Sequence, residues 1–159
     1  MLSESRPFHG VLAAGLTPVG LGGVGLGLRP APWSSVEVSL GMSTDGPQGA
    51  SAGGLYLVGE RYALGIVTGV SAGPYSVDRD DLFDEDAGAT VSTWDFMVWS
   101  NTSLQIRHDI GESTAVRAEL GGAIPLTHTD TRCSGYCDGA WWQAEPRPIL
   151  GIGLEHYVD

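Results

Sequence analysis

Apolar and polar residues alternate with a period of two along much of the chain, as in β-strands with two different faces. In residues 36–43 the residues Val, Val, Leu and Met alternate with Glu, Ser, Gly and Ser. Clear alternation also occurs in residues 94–107, 116–124 and 150–158. It is weaker in residues 9–16, 19–29, 51–59 and 62–72. The pattern predicts about eight strands and no amphipathic helix.

The predicted connections fall into two length classes. Residues 30–32, 60–61 and 109–113 form short connections, whereas residues 73–91 and 127–143 are long and polar. Residues 45–50 are intermediate. Short turns at one end and longer loops at the other are typical of an outer-membrane up-and-down barrel. Several predicted strands also reach the ~9–11 residues that a tilted strand needs to cross a bilayer.

Aromatic residues fall near both ends of the predicted strands. Those near the short turns are Trp33, Tyr62 and Tyr157, and those near the long loops are Tyr75, Trp94, Trp141 and Trp142. Indole and phenol rings favour the boundary between membrane and water. The placement therefore predicts two aromatic belts around an apolar band.

With these features the chain resembles the small outer-membrane β-barrel proteins of Gram-negative bacteria, over roughly residues 9–158. Residues 148–158 resemble the C-terminal strand by which such barrels are recognised for assembly. That family usually ends on Phe or Trp, whereas this chain ends on Tyr157, Val158 and Asp159.

The resemblance implies an all-β fold, an antiparallel up-and-down transmembrane barrel of about eight strands. Residues 9–159 are expected to form the barrel domain and residues 1–8 an N-terminal extension. Outer-membrane localisation, contact with outer-membrane lipids and both termini on the periplasmic side follow from the same resemblance. Residues 1–6 are polar and mixed in charge, so we expect no signal peptide in this chain.

Alternation alone also fits a soluble β-barrel or sandwich that binds an apolar ligand, because a sheet with one wet face gives the same pattern. The two architectures differ in which face meets the surroundings. In a soluble protein the apolar face packs inward, and in a membrane barrel it meets lipid. This soluble protein is the first alternative.

The sequence also argues against nucleic-acid binding and against dinucleotide binding. The 159 residues include 19 acids and eight bases, all of them arginine, and the formal net charge of −11 does not suit nucleic-acid binding. Gly20, Gly22 and Gly25 have the spacing of a dinucleotide-binding motif. Pro30 blocks the helix that this motif needs, so no cofactor is expected.

The polar face of the predicted strands carries the charges that would fill the barrel. An eight-stranded barrel is too narrow for an open channel and is packed with side chains. Arginine suits such an interior because its guanidinium bridges carboxylates. The residues predicted for this polar network are Glu37, Asp95, Arg107, Arg117, Glu119 and Glu155.

The predicted function of the protein is structural or surface-interacting. No open pore and no catalysis are expected, and partners are expected to contact residues 73–91 and 127–143.

The predicted long loops contain three further candidate sites. An acidic loop includes weak metal candidates at Asp80, Asp81, Asp84 and Asp86, although a solvated loop without metal is the expected state. Cys133 and Cys137 are four positions apart and predict a local disulfide, which implies an oxidising compartment. His128, Asp130 and Ser134 form the basis of a second alternative, an outer-membrane lipid hydrolase or acyltransferase.

Overall fold

Eight strands make up the fold in the computed structural model, which describes residues 7–79, 91–127 and 146–158. For residues 75–79 and 91–95 only the backbone is described. The strands are β1 (Phe8–Thr17), β2 (Gly20–Ala31), β3 (Ser34–Ser43), β4 (Gly46–Val58), β5 (Tyr62–Arg79), β6 (Val91–Asp109), β7 (Thr114–Pro125) and β8 (Arg147–Val158).

The strands close into a single antiparallel barrel in which each strand pairs with the next in sequence. The last strand returns to the first, with a register from Phe8 opposite Val158 to Leu16 opposite Leu150. This architecture confirms the predicted closed up-and-down barrel and excludes a two-sheet sandwich. Among the described residues, no helix is long and apolar enough to span a bilayer, a finding that does not concern strands.

The barrel has two different ends. The lower end carries both described chain ends and the connections 32–33, 59–61 and 110–113. The upper end carries the connections 18–19, 44–45, 80–90 and 126–146. The short turns predicted from the sequence therefore lie together at the lower end.

Two predicted connections are shorter than expected. β5 and β6 pair as far as Arg79 opposite Val91, so the ladder includes residues 73–79 and 91 of the predicted loop 73–91. β4 begins at Gly46, within the predicted connection 45–50. Gly46 has a φ of 132°, which permits the tight turn after Ser43. Polar residues in these segments predict loops from the sequence alone, but one face of these strands is itself polar.

Large apolar side chains cover the outside of the barrel. Leu26, Leu40 and Leu57 are 71%, 69% and 79% exposed, and Val38 is 55% exposed. The buried positions between them carry many polar residues, including Arg29, Gln105 and Glu155. The distribution is the reverse of a soluble protein, in which large apolar side chains fill the core.

The upper part of the interior holds a small apolar cluster. Met97 and Trp99 pack with Ala123 and Ile149, all at most 5% exposed. The Arg147 guanidinium lies 4.4 Å from the centre of a Trp99 ring. This apolar cluster lies on β6, β7 and β8, nearer the upper end than the charged groups of the lower interior.

Candidate functional site

The lower interior contains a group of ion pairs centred on Glu155, a residue of β8 that is fully buried. The Arg29 Nη2 atom donates hydrogen bonds to both carboxylate oxygens, at 3.4 and 3.1 Å. The Arg117 Nη1 atom lies 3.7 Å from the same carboxylate and the Arg107 Nη1 atom 4.0 Å. One carboxylate therefore meets three guanidinium groups.

Two further carboxylates complete the charge balance. Glu37 accepts two hydrogen bonds from Arg117, at 2.5 and 3.1 Å, in the bidentate geometry that favours arginine. Asp109 lies 3.0 Å from Arg107. Three arginines thus face three carboxylates, and we call these six residues the arginine cluster: Arg29, Glu37, Arg107, Asp109, Arg117 and Glu155.

Tyr157 links two members of the cluster. Its hydroxyl donates to Glu155 Oε2 at 2.6 Å and accepts from Arg107 Nη1 at 2.8 Å. Residues 155 and 157 point to the same side of β8 because side chains alternate along a strand. A single strand therefore supplies both the central carboxylate and the hydroxyl beside it.

Gly27 on β2 has no side chain and so leaves room for the ring of His9 on β1. A Cβ atom at Gly27 would lie 2.2 Å from two atoms of the His9 imidazole, so only glycine fits under that ring. The His9 ring centre is 5.4 Å from that of Tyr157. Glycine on the inner face of β2 thus lets an aromatic side chain from β1 pack beside the cluster.

A neutral network extends the cluster toward β4 and β6. The Arg29 guanidinium lies 4.9 Å from the centre of the Tyr56 ring, within the range of a cation–π contact. The Tyr56 hydroxyl donates to Gln105 Oε1 at 2.7 Å and accepts from Ser35 Oγ at 3.2 Å. These contacts connect strands on opposite sides of the barrel.

The structure brings together four of the six residues predicted for the polar network: Glu37, Arg107, Arg117 and Glu155. Glu119 also lies inside the barrel, where it accepts a hydrogen bond from Ser103 Oγ at 2.5 Å. The side chain of Asp95 lies outside the described residues.

Sequence reasoning missed Arg29 and Asp109. Arg29 follows Gly25 and Gly27 on the same face of β2, so the period of two contained the signal. Asp109 was assigned to a turn, although it is the last residue of β6, two positions after Arg107. Extending each alternation to the strand ends would have found both.

The prediction for Tyr157 was wrong. It was expected in an aromatic belt, but its side chain is buried at 2% exposure and its hydroxyl bonds inside the barrel. A position near a strand end is not enough to place an aromatic residue in a belt, because its side chain must also point to the outside of the barrel.

Two aromatic residues do face outward at the lower end. Trp33 and Tyr62 are 60% and 58% exposed. The Tyr62 ring stacks on His108 with ring centres 4.3 Å apart. The aromatic residues predicted for the upper end are not tested. The structure does not describe the side chains of Tyr75 and Trp94, and Trp141 and Trp142 lie outside the described residues.

The remaining candidate sites also fall outside the described residues. These are Asp80, Asp81, Asp84, Asp86, Cys133, Cys137, His128, Asp130 and Ser134. Within the part of the chain that the structure describes, no group of three or more His, Cys, Asp or Glu residues is placed to hold a metal ion. The disulfide stays a prediction.

That disulfide is open to a direct measurement. We expect Cys133 and Cys137 to be oxidised to each other in protein isolated from the cell envelope, with little effect on barrel stability because the closed loop is short. Thiol labelling of denatured, non-reduced protein measures this. Two labelled thiols per chain would contradict the bridge.

No protein-family model matches the chain, and no curated protein sequence matches it. Among solved structures, the chain is similar to the N-terminal β-barrel domain of OprF from Pseudomonas aeruginosa. The TM-score is 0.63, and the match covers 95% of each chain at 11% sequence identity. At this identity the likeness concerns the fold.

Proposed function

We propose that this chain is an outer-membrane β-barrel with a structural or surface-interaction role, an interior filled by side chains and no open pore. The observation that carries the proposal is the inverted distribution of residues, with leucine side chains outside and arginine–carboxylate pairs inside. An apolar outer surface of this kind is favourable when the barrel is surrounded by lipid.

Closed geometry supports the same conclusion. A bilayer core offers no hydrogen-bond partners to a sheet edge, so a strand protein enters it only as a closed barrel. Pairing of β8 with β1 leaves no open edge in this fold. The strands are 10 to 19 residues long, which meets or exceeds the ~9–11 needed for a tilted span.

The soluble alternative fits the interior less well. A barrel that binds an apolar ligand needs an interior lined mainly by apolar side chains. Here Arg29, Arg107 and Arg117 occupy the lower interior with their carboxylate partners. The lower interior therefore suits a polar packing core better than a pocket for an apolar ligand.

The interaction role is assigned to the upper end. Its connections 80–90 and 126–146 are longer than the turns 32–33, 59–61 and 110–113 of the lower end. Long loops on one side of a rigid barrel are the usual location of binding surfaces. No residue of the described barrel is proposed to be catalytic.

Cysteine labelling in lipid tests the inverted distribution. Leu40→Cys should react poorly with a water-soluble thiol reagent, and a fluorophore attached there before reconstitution should be quenched by spin labels on lipid tails. The neighbour Ser39 faces the other side of β3 and provides the matched control: a fluorophore on Ser39→Cys should escape that quencher. Equal quenching at both positions, or none at Leu40→Cys, would contradict the membrane proposal.

Permeability tests the absence of a pore. Vesicles that contain the folded protein should swell in a small-sugar solution no faster than protein-free vesicles, because the arginine cluster blocks the lower interior. An open porin in the same vesicles provides the positive control. Rapid swelling that depends on the amount of inserted protein would show an open channel.

A further inference from the structure

The barrel interior has a pocket at its upper end, beside the turns 18–19 and 44–45 and the first residues of β8. Its volume is about 300 Å³, and we call this space the upper pocket. Pockets for small molecules measure ~300–1,000 Å³ and occur in the mouths of β-barrels. Since an apolar cavity of ~150 Å³ holds benzene, the upper pocket has room for a molecule of about two rings.

One wall of the upper pocket is apolar. It is formed by Trp99, Ala123 and Ile149, which are at most 5% exposed and belong to the neighbouring strands β6, β7 and β8. Pro18 lines the pocket from the turn between β1 and β2. These side chains favour a ligand with an apolar body, because apolar surface leaves water when such a ligand binds.

Two buried carboxamides line the same pocket and have unused hydrogen-bonding atoms. Gln48 is 4% exposed and Asn101 is 5% exposed. Gln48 Nε2 donates to Ser43 Oγ at 3.1 Å, and Asn101 Oδ1 accepts from Ser71 Oγ at 3.3 Å. Among the described residues, Gln48 Oε1 has no donor and Asn101 Nδ2 has no acceptor. Buried polar atoms are nearly always paired, so these two are expected to bind a ligand or water in the pocket.

The charge of the pocket lining is already balanced. Among the described lining residues, Arg147 alone is charged. Its Nη2 atom lies 3.3 Å from Asp45 Oδ2, and its guanidinium lies over the Trp99 ring. An anion must compete with Asp45 for this guanidinium, and a cation is repelled by it. The lining therefore favours an uncharged ligand.

We propose that the upper pocket binds a small uncharged molecule with an apolar ring body and one carboxamide or hydroxyl group. That group accepts a hydrogen bond from Asn101 Nδ2 and donates one to Gln48 Oε1. The ring body packs against Trp99, Ala123 and Ile149. A few placed polar groups in an apolar pocket fix the orientation of a ligand in this way. The inference goes beyond the interaction role of the long loops and does not rest on contact with lipid.

Naphthalene carboxamide is the probe that tests the pocket, because it combines two rings with an uncharged carboxamide. The methyl resonance of Ile149 reports binding in protein folded in detergent micelles, and probe dissolved in the micelle does not contribute to it. We expect a saturable shift in the wild type. Gln48→Met should weaken binding about tenfold, since it removes the acceptor. Gln105→Met replaces a buried glutamine that does not line the upper pocket and should bind the probe like the wild type.

Three results would overturn the proposal. The first is no saturable shift of Ile149 up to the solubility limit of the probe, which would assign the pocket to water. The second is equal affinity in the wild type and Gln48→Met. The third is tighter binding of naphthalene carboxylate, the charged analogue of the same shape, which would assign an anion site at Arg147.

Ala123→Leu tests the same pocket through its volume. The larger side chain fills the space beside the apolar wall, so the shift of Ile149 should disappear. Unchanged binding in this variant would place the probe elsewhere and contradict the proposal, even where Gln48→Met does not fold. None of these measurements depends on the lipid-face test, so the two proposals fail separately.

Discussion

Replacing Glu155 by glutamine is expected to lower the free energy of unfolding by about 3–5 kcal/mol, the cost of removing one partner from a buried ion pair. The substitution keeps the shape of the side chain and removes its charge. Arg29 then loses its carboxylate partner, while Arg107 and Arg117 keep Asp109 and Glu37. Urea titration of the barrel in detergent or lipid vesicles measures the change.

Glu60→Gln provides the matched control, because it removes the same charge from an exposed turn at the lower end. Its effect should stay below about 1 kcal/mol, as for most exposed charges. Similar small losses for the two variants would show that Glu155 is solvated and that the arginine cluster does not stabilise the barrel.

Val38→Arg is expected to destabilise the barrel in a bilayer by about 2–4 kcal/mol, since an arginine near the midplane must leave water. Val38 lies in the middle of β3 and faces outward. In a soluble barrel the same exposed position would accept arginine with little change, because its side chain would already meet water. Unfolding in lipid vesicles by urea distinguishes the two cases.

Met42→Arg tests the dependence on depth. Met42 faces outward on the same strand as Val38 but lies one residue from its upper end, where arginine costs ~0–1 kcal/mol. A large difference between the two variants is the expected signature of a bilayer. Equal and small costs would remove the main support for the membrane proposal.

The strands were the most predictable part of the fold. Alternation identified β3, β7 and β8 almost to their ends, because apolar residues recur at most alternate positions on the outer face of each strand. The upper part of β5 and the start of β4 were assigned to loops, since polar and glycine residues there resemble turns. Closure of β8 on β1 is a contact between chain ends, and alternation carries no information on such distant pairing.

The candidate site was predictable by residue type and face but not by partner. Glu37 and Arg117 were both expected inside, yet their bidentate contact depends on how β3 and β7 face each other across the barrel. Glu119 was expected to pair with arginine, but Arg117 turns to Glu37 and Glu155. Pair assignment requires the shear of the closed barrel, which a one-dimensional pattern does not contain.

Two ion pairs of the arginine cluster join residues that lie far apart in the sequence. Arg29 and Glu155 are 126 residues apart, and Glu37 and Arg117 are 80 apart. Contacts of this separation form late, after the intervening chain has been ordered. The charges of the lower interior are therefore fully balanced only after β8 has paired with its neighbours. A partly assembled sheet without β8 contains the three arginines but lacks Glu155, the carboxylate that all three contact.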